Sequence, residues 1–529
     1  MGKHSIPKQN AEASVFRLAK PLRKGLLRLL FSRFLLIALL IAVQILLMIS
    51  FYGWLSSFLP YMQVVQAAFT LLMVIYLFNS GMDSSAKLTW MFIIAVLPVV
   101  GAGLLWFTQT NLGHRALKKR VASLIDETRD AIPQDAAVKE ILSHDGSGVD
   151  DLSTYLCRGG CYPVHAGTET AYYPDGEALF EAILEEIKGA ERFIFLEYFI
   201  IEEGYMWGEI LRVLVEKAAA GVDVRVMYDG MCEMATLPFG YAKLLEKQGI
   251  RAKAFSPIRP AVSSHYNYRD HRKILVVDGR TAFTGGVNLA DEYINRVERF
   301  GHWKDVGLRL RGGAVKSFTL LFLQMWNIDE KEPVFTPFLT PGERRESAGY
   351  VLPYGDCPLD NEKAGETVYM DLLNRASDYV HIMTPYLILD GELETALKYA
   401  AERGVEVKLI LPGVPDKKLA WALAKSHYAS LLASGVQIFE YTPGFVHAKV
   451  CVTDDIKAVV GTINLDYRSL YHHFECAAFL YKTDCIADIE RDFQDTLAQC
   501  RAVTPESIRG EKTFYKLLGP LLKFIAPLM

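Results

Sequence analysis

The chain has 529 residues, 57 basic and 61 acidic side chains, a formal net charge of −4 and 51% hydrophobic residues. That length exceeds one average domain, and the near balance of charge excludes a protein that binds polyanions over its whole surface. Eight cysteines are scattered from Cys157 to Cys500 and form no disulfide framework, so reduced thiols are expected.

Residues 1–33 carry Lys3, Lys8, Arg17, Lys20, Arg23, Lys24, Arg28 and Arg33 against the single acid Glu12. This basic juxtamembrane segment suits anionic lipid headgroups and also the positive flank of a membrane span. Three apolar segments follow within a membrane region at 34–108: Phe34–Tyr52, residues 61–78, and Leu88–Thr108. The first is long enough to cross a bilayer as a helix. Its extended basic lead-in, with no clear small-x-small site after it, argues against a cleaved signal. The third carries Pro98, Gly101 and Gly103, which suit either a membrane helix or a re-entrant turn. Two to three transmembrane helices are expected, hence a multi-pass protein of the cell membrane, with the side of the catalytic body left open.

Residues 109–155, with Pro133 and the turn-like Asp145-Gly-Ser-Gly148, read as a helical linker. Beyond it, Cys157 and Cys161 have zinc-ligand spacing but lack a second close Cys/His pair, so no metal is expected. The body is doubled. Arg192–Ile200 and Gly221–Met227 are strand-like runs separated by an amphipathic stretch, and Tyr379–Leu387 and Gly404–Leu411 repeat the plan. Strand, helix, strand in each half predicts parallel crossovers and an α/β fold. The lobes are expected at 156–335 and 336–510, joined where Pro333, Pro337, Pro341 and Gly342 cluster. The tail, 511–529, places Phe514, Leu517, Leu518, Leu521, Leu522 and Ile525 at helical spacing. It is too short to span, reads best as an amphipathic membrane-surface helix, and is weakened by Pro520.

One pattern occurs twice. His271-Arg-Lys273-Ile-Leu-Val-Val-Asp278 is followed by Gly285-Gly286-Val-Asn288, and His447-Ala-Lys449-Val-Cys-Val-Thr-Asp454 by Gly461-Thr-Ile-Asn464. The His-to-Asn distance is 17 residues in both copies, and the copies lie 176 residues apart. A single H-x-K is close to noise, but the whole pattern in matching register is not. Lysine two residues after histidine in a strand projects from the same face and sets a cation beside the imidazole. Asparagine after a Gly-rich turn adds a neutral donor. One such set is half of a phosphate cradle, and two are a whole one. Two histidines flanking one phosphorus suit phosphoryl transfer through a phospho-histidine, one attacking and one protonating the leaving oxygen. Lys273, Lys449, Asn288 and Asn464 would stabilise the equatorial oxygens, and no cofactor or metal is called for. Asp278 and Asp454 complete the motif, but each ends an apolar strand at a turn, where Asp is common for backbone reasons.

The two motifs resemble those of the phospholipase D superfamily. Membrane segments ahead of two such lobes make the chain similar to bacterial cardiolipin synthases. So do Ala86–Trp90, Leu97–Gly101, Leu196-Glu-Tyr198, Asp270–Lys273, Thr384-Pro-Tyr386 and Asn464–Ser469. The resemblance implies two similar phospholipase D-like lobes packed together, one active site between them, and His271, Lys273, Asp278, His447, Lys449 and Asp454 as the catalytic set. It also implies that an acid beyond each motif orients the histidine of the opposite lobe. Asp305, in His302-Trp-Lys-Asp305, and Glu475, in His473-Phe-Glu475, fit those places, giving the expected crossed pairs His271 with Glu475 and His447 with Asp305. By the same analogy His271 is the nucleophile and His447 the acid and later base. The implied reaction transfers a phosphatidyl group between two phosphatidylglycerol molecules, giving cardiolipin and glycerol. A hydrolase of the same superfamily would use the same residues with water as acceptor. A nuclease would want a basic, aromatic-bearing groove and no membrane segments, so membrane phospholipids rather than nucleic acid are the expected partners.

Overall fold

The structure, a computed structural model, describes residues 59–109, 112–257, 268–339, 345–360, 362–511 and 513–528, together with 16–18 and 46. The basic segment 1–33 and the apolar run 34–52 therefore lie almost wholly outside the described residues.

Helix α1 (Leu59–Phe78), whose side chains are described from Gln63, is followed by α2 (Ser84–Val96) and α3 (Pro98–Gln109). Asp83 caps α2 by accepting from the Ala86 N–H at 3.0 Å. The apolar stretch 88–108, read from sequence as one segment, is broken at Leu97 (φ −133°, ψ 70°), where Pro98 starts the next helix. Each piece is about 20 Å long or less at 1.5 Å per residue, against roughly 30 Å of bilayer hydrocarbon. The pair packs closely at Gly101, where a Cβ would sit 3.0 Å from the Ile94 Cα. Among the described residues no helix is long and apolar enough to cross a membrane.

The region 112–160 is less a linker than part of the body. Val138, Leu142, Leu152 and Leu156 are buried in the main core, and the Arg120 guanidinium donates to the carbonyls of Asn327, Ile328 and Glu330.

The first half supplies β1 (His165–Ala166), β2 (Thr168–Tyr173), β3 (Phe193–Tyr198), β4 (Asp223–Asp229), β5 (Arg251–Phe255), β6 (Arg269–Asp270), β7 (Lys273–Val277), β8 (Thr281–Gly285), β9 (His302–Lys304) and β10 (Gly307–Gly312). The second supplies β11 (Tyr350–Asp356), β12 (Tyr379–Met383), β13 (Glu406–Pro412), β14 (Gln437–Tyr441), β15 (Gly444–Val446), β16 (Val450–Thr453), β17 (Lys457–Gly461), β18 (His473–Tyr481) and β19 (Cys500–Ala502). The two large sheets share one order: β2-β10-β8-β7-β3-β4-β5, and β11-β18-β17-β16-β12-β13-β14 with β1 and β19 at its edges. The predicted parallel crossovers hold for β3 to β5 and β12 to β14. The motif strands β7 and β16 instead run antiparallel to β3 and β12, so each sheet is mixed.

Between the sheets lies α4 (Val315–Trp326), buried at every residue but Lys316. Its large apolar side chains point to both sides, and the few polar ones among them, Ser317, Thr319 and Gln324, are buried too, so the helix belongs between two sheets. Phe318 and Phe322 lie in one continuous core with Ile274 and Val276 of one half and Val450 and Val452 of the other. At about 2–3 kcal/mol per fully buried phenylalanine, the lobes are held by the same burial that folds each of them.

Near the C-terminus, α7 (Thr513–Ile525) docks on α5 (Lys418–Ala433), with Leu522 packed among Ala422, Leu423, Ile388 and Tyr467 of α6 (Tyr467–Tyr471). Pro520 stays inside the helix. The helix thus presents two apolar faces: one is docked, while Phe514, Leu517 and Leu521 are each about two-thirds exposed, at 65%, 67% and 69%.

Candidate active site

Each motif is placed by a strand pairing that crosses between the lobes. β6, just before His271, pairs in parallel with β18 of the other half, Arg269 opposite His473 and Asp270 opposite Phe474. β15, just before His447, pairs in parallel with β9, Phe445 opposite Trp303 and Val446 opposite Lys304. The ladders continue into the motifs: the His271 N–H donates to the Phe474 carbonyl at 2.9 Å, and the His447 N–H to the Lys304 carbonyl at 2.7 Å. The residue after each acceptor is the acid. Backbone register, not side-chain reach alone, therefore brings Glu475 to His271 and Asp305 to His447.

His271 Nδ1 lies 2.9 Å from both Glu475 oxygens, and His447 Nδ1 lies 2.6 Å from Asp305 Oδ2. A carboxylate on Nδ1 favours the tautomer with its proton there, leaving Nε2 for chemistry. The two acids are seated differently. Gly286 leaves room for Asp305, because a Cβ there would fall 1.9 Å from Asp305 Oδ1. At the matching place in the second copy stands Thr462, whose hydroxyl donates to Glu475 Oε2. The glycine-or-threonine position of the pattern thus faces the acid in both copies.

Lys273 donates to the His271 carbonyl at 2.6 Å, and Lys449 to the His447 carbonyl. An ammonium has three N–H groups, so each lysine keeps donors for a ligand. Burial pushes Lys273 down to about 8, with Glu475 opposing, and pushes Lys449 down to about 7, with Asp305 opposing and Lys273 assisting. Burial, then Lys273, His473, Lys449 and His447, hold His271 well below the usual imidazole range. Burial and Lys449 lower His447 to about 4 against the pull of Asp305. Beneath the dominant effect of burial, groups from both lobes depress one another, so they lie in one site, whose lysines a phosphate would pair.

The asparagines are not equivalent. The Asn288 side chain is held by protein, accepting from the Ile200 N–H at 3.1 Å and donating to the Tyr293 hydroxyl at 2.8 Å. Asn464 is buried, and its Oδ1 lacks a partner. The motif aspartates lie at the far ends of β7 and β16. Asp278 accepts the N–H groups of Glu191, Arg192 and Phe193, and Asp454 those of Ser377, Asp378 and Tyr379. Asp278-Gly279 (φ 55° and 68°) and Asp454-Asp455 (φ 54° and 56°) form the left-handed pairs of tight hairpin turns. Counting them with the catalytic set is therefore corrected: they tie each motif hairpin to the start of β3 or β12 and do not reach the histidines.

Sequence reasoning passed over the residues that flank the histidines. Trp303 and Tyr293 each lie 5.4 Å from His447 by ring centroid, and Phe199 and His473 lie 4.8 and 5.4 Å from His271. Trp303 and His473 each stand two residues before the acid, and strand alternation was signal enough to place both on the acid's face.

Comparison with known proteins bears on this arrangement. A family described as cardiolipin synthase, PLD-like domain, matches residues 183–298 and 369–497, spans that hold both motifs and Glu475 but stop short of Asp305. An uncharacterized protein of Streptococcus mutans is 55% identical, covering 86% of this chain and 99% of its own. A cardiolipin synthase of Halalkalibacterium halodurans is 31% identical over 86% of this chain and 91% of its own. Among solved structures, phosphatidylserine synthase of Haemophilus influenzae superposes with a TM-score of 0.53 at 15% identity, covering 69% of this chain and 94% of that one, a likeness of fold.

Proposed function

The chain belongs to the cardiolipin synthase family with phospholipase D-like domains, and from that premise we propose that it is a phosphatidyltransferase joining two phosphatidylglycerol molecules into cardiolipin. The observation that carries the reading is the crossed pair of buried imidazole–carboxylate contacts beside two buried lysines.

In the first step His271 Nε2 attacks the phosphorus of one phosphatidylglycerol. The bond to the glycerol oxygen breaks, and that oxygen takes the Nε2 proton of His447, which the bound phosphodiester has brought to its imidazolium form. In the second step His447 takes the proton of a hydroxyl on a second phosphatidylglycerol. The oxygen then attacks the phosphatidyl-histidine, freeing His271 and giving cardiolipin. Glu475 and Asp305 hold the tautomers and stabilise charge on the imidazoles. Lys273, Lys449 and Asn464 stabilise the equatorial oxygens. His271 is assigned as nucleophile by analogy to the superfamily, since burial lowers the basicity of both imidazoles and does not separate them. A lipid alcohol must outcompete water in the second step, which favours a site apposed to a membrane. We place the N-terminal region, including the apolar run 34–52, in the cell membrane, with the exposed apolar residues of α1 to α3 and α7 facing it.

The test is purified protein in phosphatidylglycerol vesicles beside His271→Ala and His447→Ala. Cardiolipin and glycerol are expected from the wild type and neither from the variants. Phosphatidic acid in place of cardiolipin would make the protein a hydrolase, and undiminished cardiolipin from either variant would end the two-histidine mechanism.

A further inference from the structure

The halves of the site are alike in backbone and unlike in what covers each histidine. Two residues before Glu475, the His271 side carries His473, whose Nδ1 stands 3.6 Å from Glu475 Oε1. Two residues before Asp305, the His447 side carries Trp303. Its ring lies 5.4 Å from the imidazole by centroid, beside Tyr293 at 5.4 Å and Phe445 at 6.0 Å. The three rings also pack on one another, Trp303 being 4.8 Å from Tyr293 and 4.9 Å from Phe445. Trp303 is fixed in this wall by its backbone. It lies opposite Phe445 in the β9–β15 pairing, and the Asn295 side chain accepts from its N–H at 2.7 Å and donates to its carbonyl at 3.0 Å.

The polar atoms of the wall are unequally spent. Phe445 has none. The Tyr293 oxygen accepts from Asn288 Nδ2 at 2.8 Å. Trp303 is only 6% exposed, and among the described residues nothing accepts its indole N–H. A buried indole N–H ordinarily finds an acceptor, because leaving a buried donor unpaired costs more than the bond itself returns. A donor in that state, on a ring packed against a catalytic histidine, calls for a ligand oxygen.

Which oxygen follows from the in-line displacement. With His271 attacking, the departing and the entering oxygen both lie on the His447 side. In the transferase reading, on which this inference rests, both belong to a glycerol unit: glycerol leaves in the first step, and the glycerol headgroup of the second phosphatidylglycerol enters in the second. Beyond the reacting oxygen, the two share the hydroxyl on the central carbon. The phosphate oxygens already have Lys273, Lys449 and Asn464, and the wall adds no cation for a further anion. A neutral N–H set in a carbon-lined surface suits a neutral hydroxyl on a three-carbon chain. We propose that Trp303 is the specificity residue for the glycerol headgroup, donating its indole N–H to the central hydroxyl of the glycerol that leaves and of the glycerol that enters. It thereby favours a glycerol unit over water, and over alcohols that lack this hydroxyl.

The test offers the full-length enzyme, in phosphatidylglycerol vesicles, labelled glycerol and labelled 1,3-propanediol at equal concentration. The two alcohols differ only in the central hydroxyl. Exchange is read as labelled phosphatidylglycerol against labelled phosphatidylpropanediol, and their ratio does not depend on the fraction of folded enzyme. The wild type is expected to favour glycerol about tenfold, the scale of a buried donor left unpaired by the wrong substrate. Trp303→Phe keeps an aromatic ring without the N–H and is expected to bring the ratio close to one. Trp303→His keeps a ring N–H, in a side chain that the matching place of the other half already accommodates, and is expected to retain a several-fold preference. No preference in the wild type, or the wild-type ratio in Trp303→Phe, would overturn the assignment while leaving the transferase reading intact. Equal ratios in the Phe and His variants would do the same, by tracing the effect to ring size. If Trp303→Phe lowered cardiolipin relative to glycerol exchange with the glycerol-to-propanediol ratio unmoved, the N–H would belong to the acceptor's phosphate, and the hydroxyl assignment would fall. A wild type that yields phosphatidic acid alone would overturn both readings.

Discussion

At the scale of single residues, the acids outside the motif govern the site more than the acids inside it. Asp305 is fully buried; burial pushes its carboxyl up, but His447 and Lys449 hold it below its ordinary range, so it stays ionised beside the imidazole. Asp305→Asn keeps the shape and reverses the preferred tautomer, so turnover is expected to fall by about 10²- to 10⁴-fold with little change in folding. Steady-state kinetics alongside thermal denaturation checks this; a loss below about threefold would remove Asp305 from the mechanism. A second expectation concerns protons. His447 is held down to about 4 without ligand, so at pH 7 it is neutral and cannot act as an acid. A bound anion stabilises the imidazolium and raises that pKa, so binding a phosphodiester analogue at pH 7 should take up protons. Calorimetry in buffers of different ionisation enthalpy reads that uptake directly, and proton release would contradict the assignment.

At the scale of elements, the motif is a hairpin and its aspartate is the hairpin's fastener. Asp278 accepts three backbone N–H groups from the start of β3 and sits where φ is positive, as does Asp454 at β12. Asp278 is buried at 3% exposure, whereas two of the three Asp454 bonds are exposed. Asp278→Ala is therefore expected to cost about 2–4 kcal/mol, and Asp454→Ala about half that, since unsatisfied buried donors cost more than solvated ones. Asp278→Asn should recover part of the loss, because Asn tolerates the left-handed region and keeps an acceptor. Denaturant unfolding measures all three; if Asp278→Ala abolished turnover at unchanged stability, the fastener role would be wrong. The duplicated strand plan was legible from hydrophobic runs and the repeated pattern. The mixed sheets were not, because alternation and burial do not encode whether a strand runs parallel to its neighbour. Asp305 and Glu475 came from resemblance. What pairs them across the lobes is the β6–β18 and β9–β15 ladders, two short pairings that carry no periodicity a sequence can display.

At the scale of the whole molecule, the question is how a buried site meets a lipid. Thr89 of α2 donates to the Phe524 carbonyl at 2.6 Å, and the Phe92 and Phe524 rings meet edge to face at 4.8 Å. The N-terminal helices and α7 therefore form one unit. That unit is braced against Tyr467 of α6. Leu71, Leu72, Leu88, Phe92, Val99 and Trp106 are exposed on one part of it, and Phe514, Leu517 and Leu521 on the other. Apolar side chains spread across two packed elements at the chain's opposite ends suit a lipid surface better than a single-helix partner. If that surface sets the orientation of the site, replacing Phe514, Leu517 and Leu521 together by serine should weaken action at an interface and nothing else. Each partly inserted side chain contributes about 1 kcal/mol, so kcat/KM on phosphatidylglycerol vesicles should fall tenfold or more. On dispersed short-chain phosphatidylglycerol the same variant should match the wild type, because α7 docks through Leu522, with Tyr515 and Leu518 beside it, and those residues are untouched. Equal losses on both substrates would mean that the exposed face supports folding, and no loss on either would mean that this face does not meet the lipid.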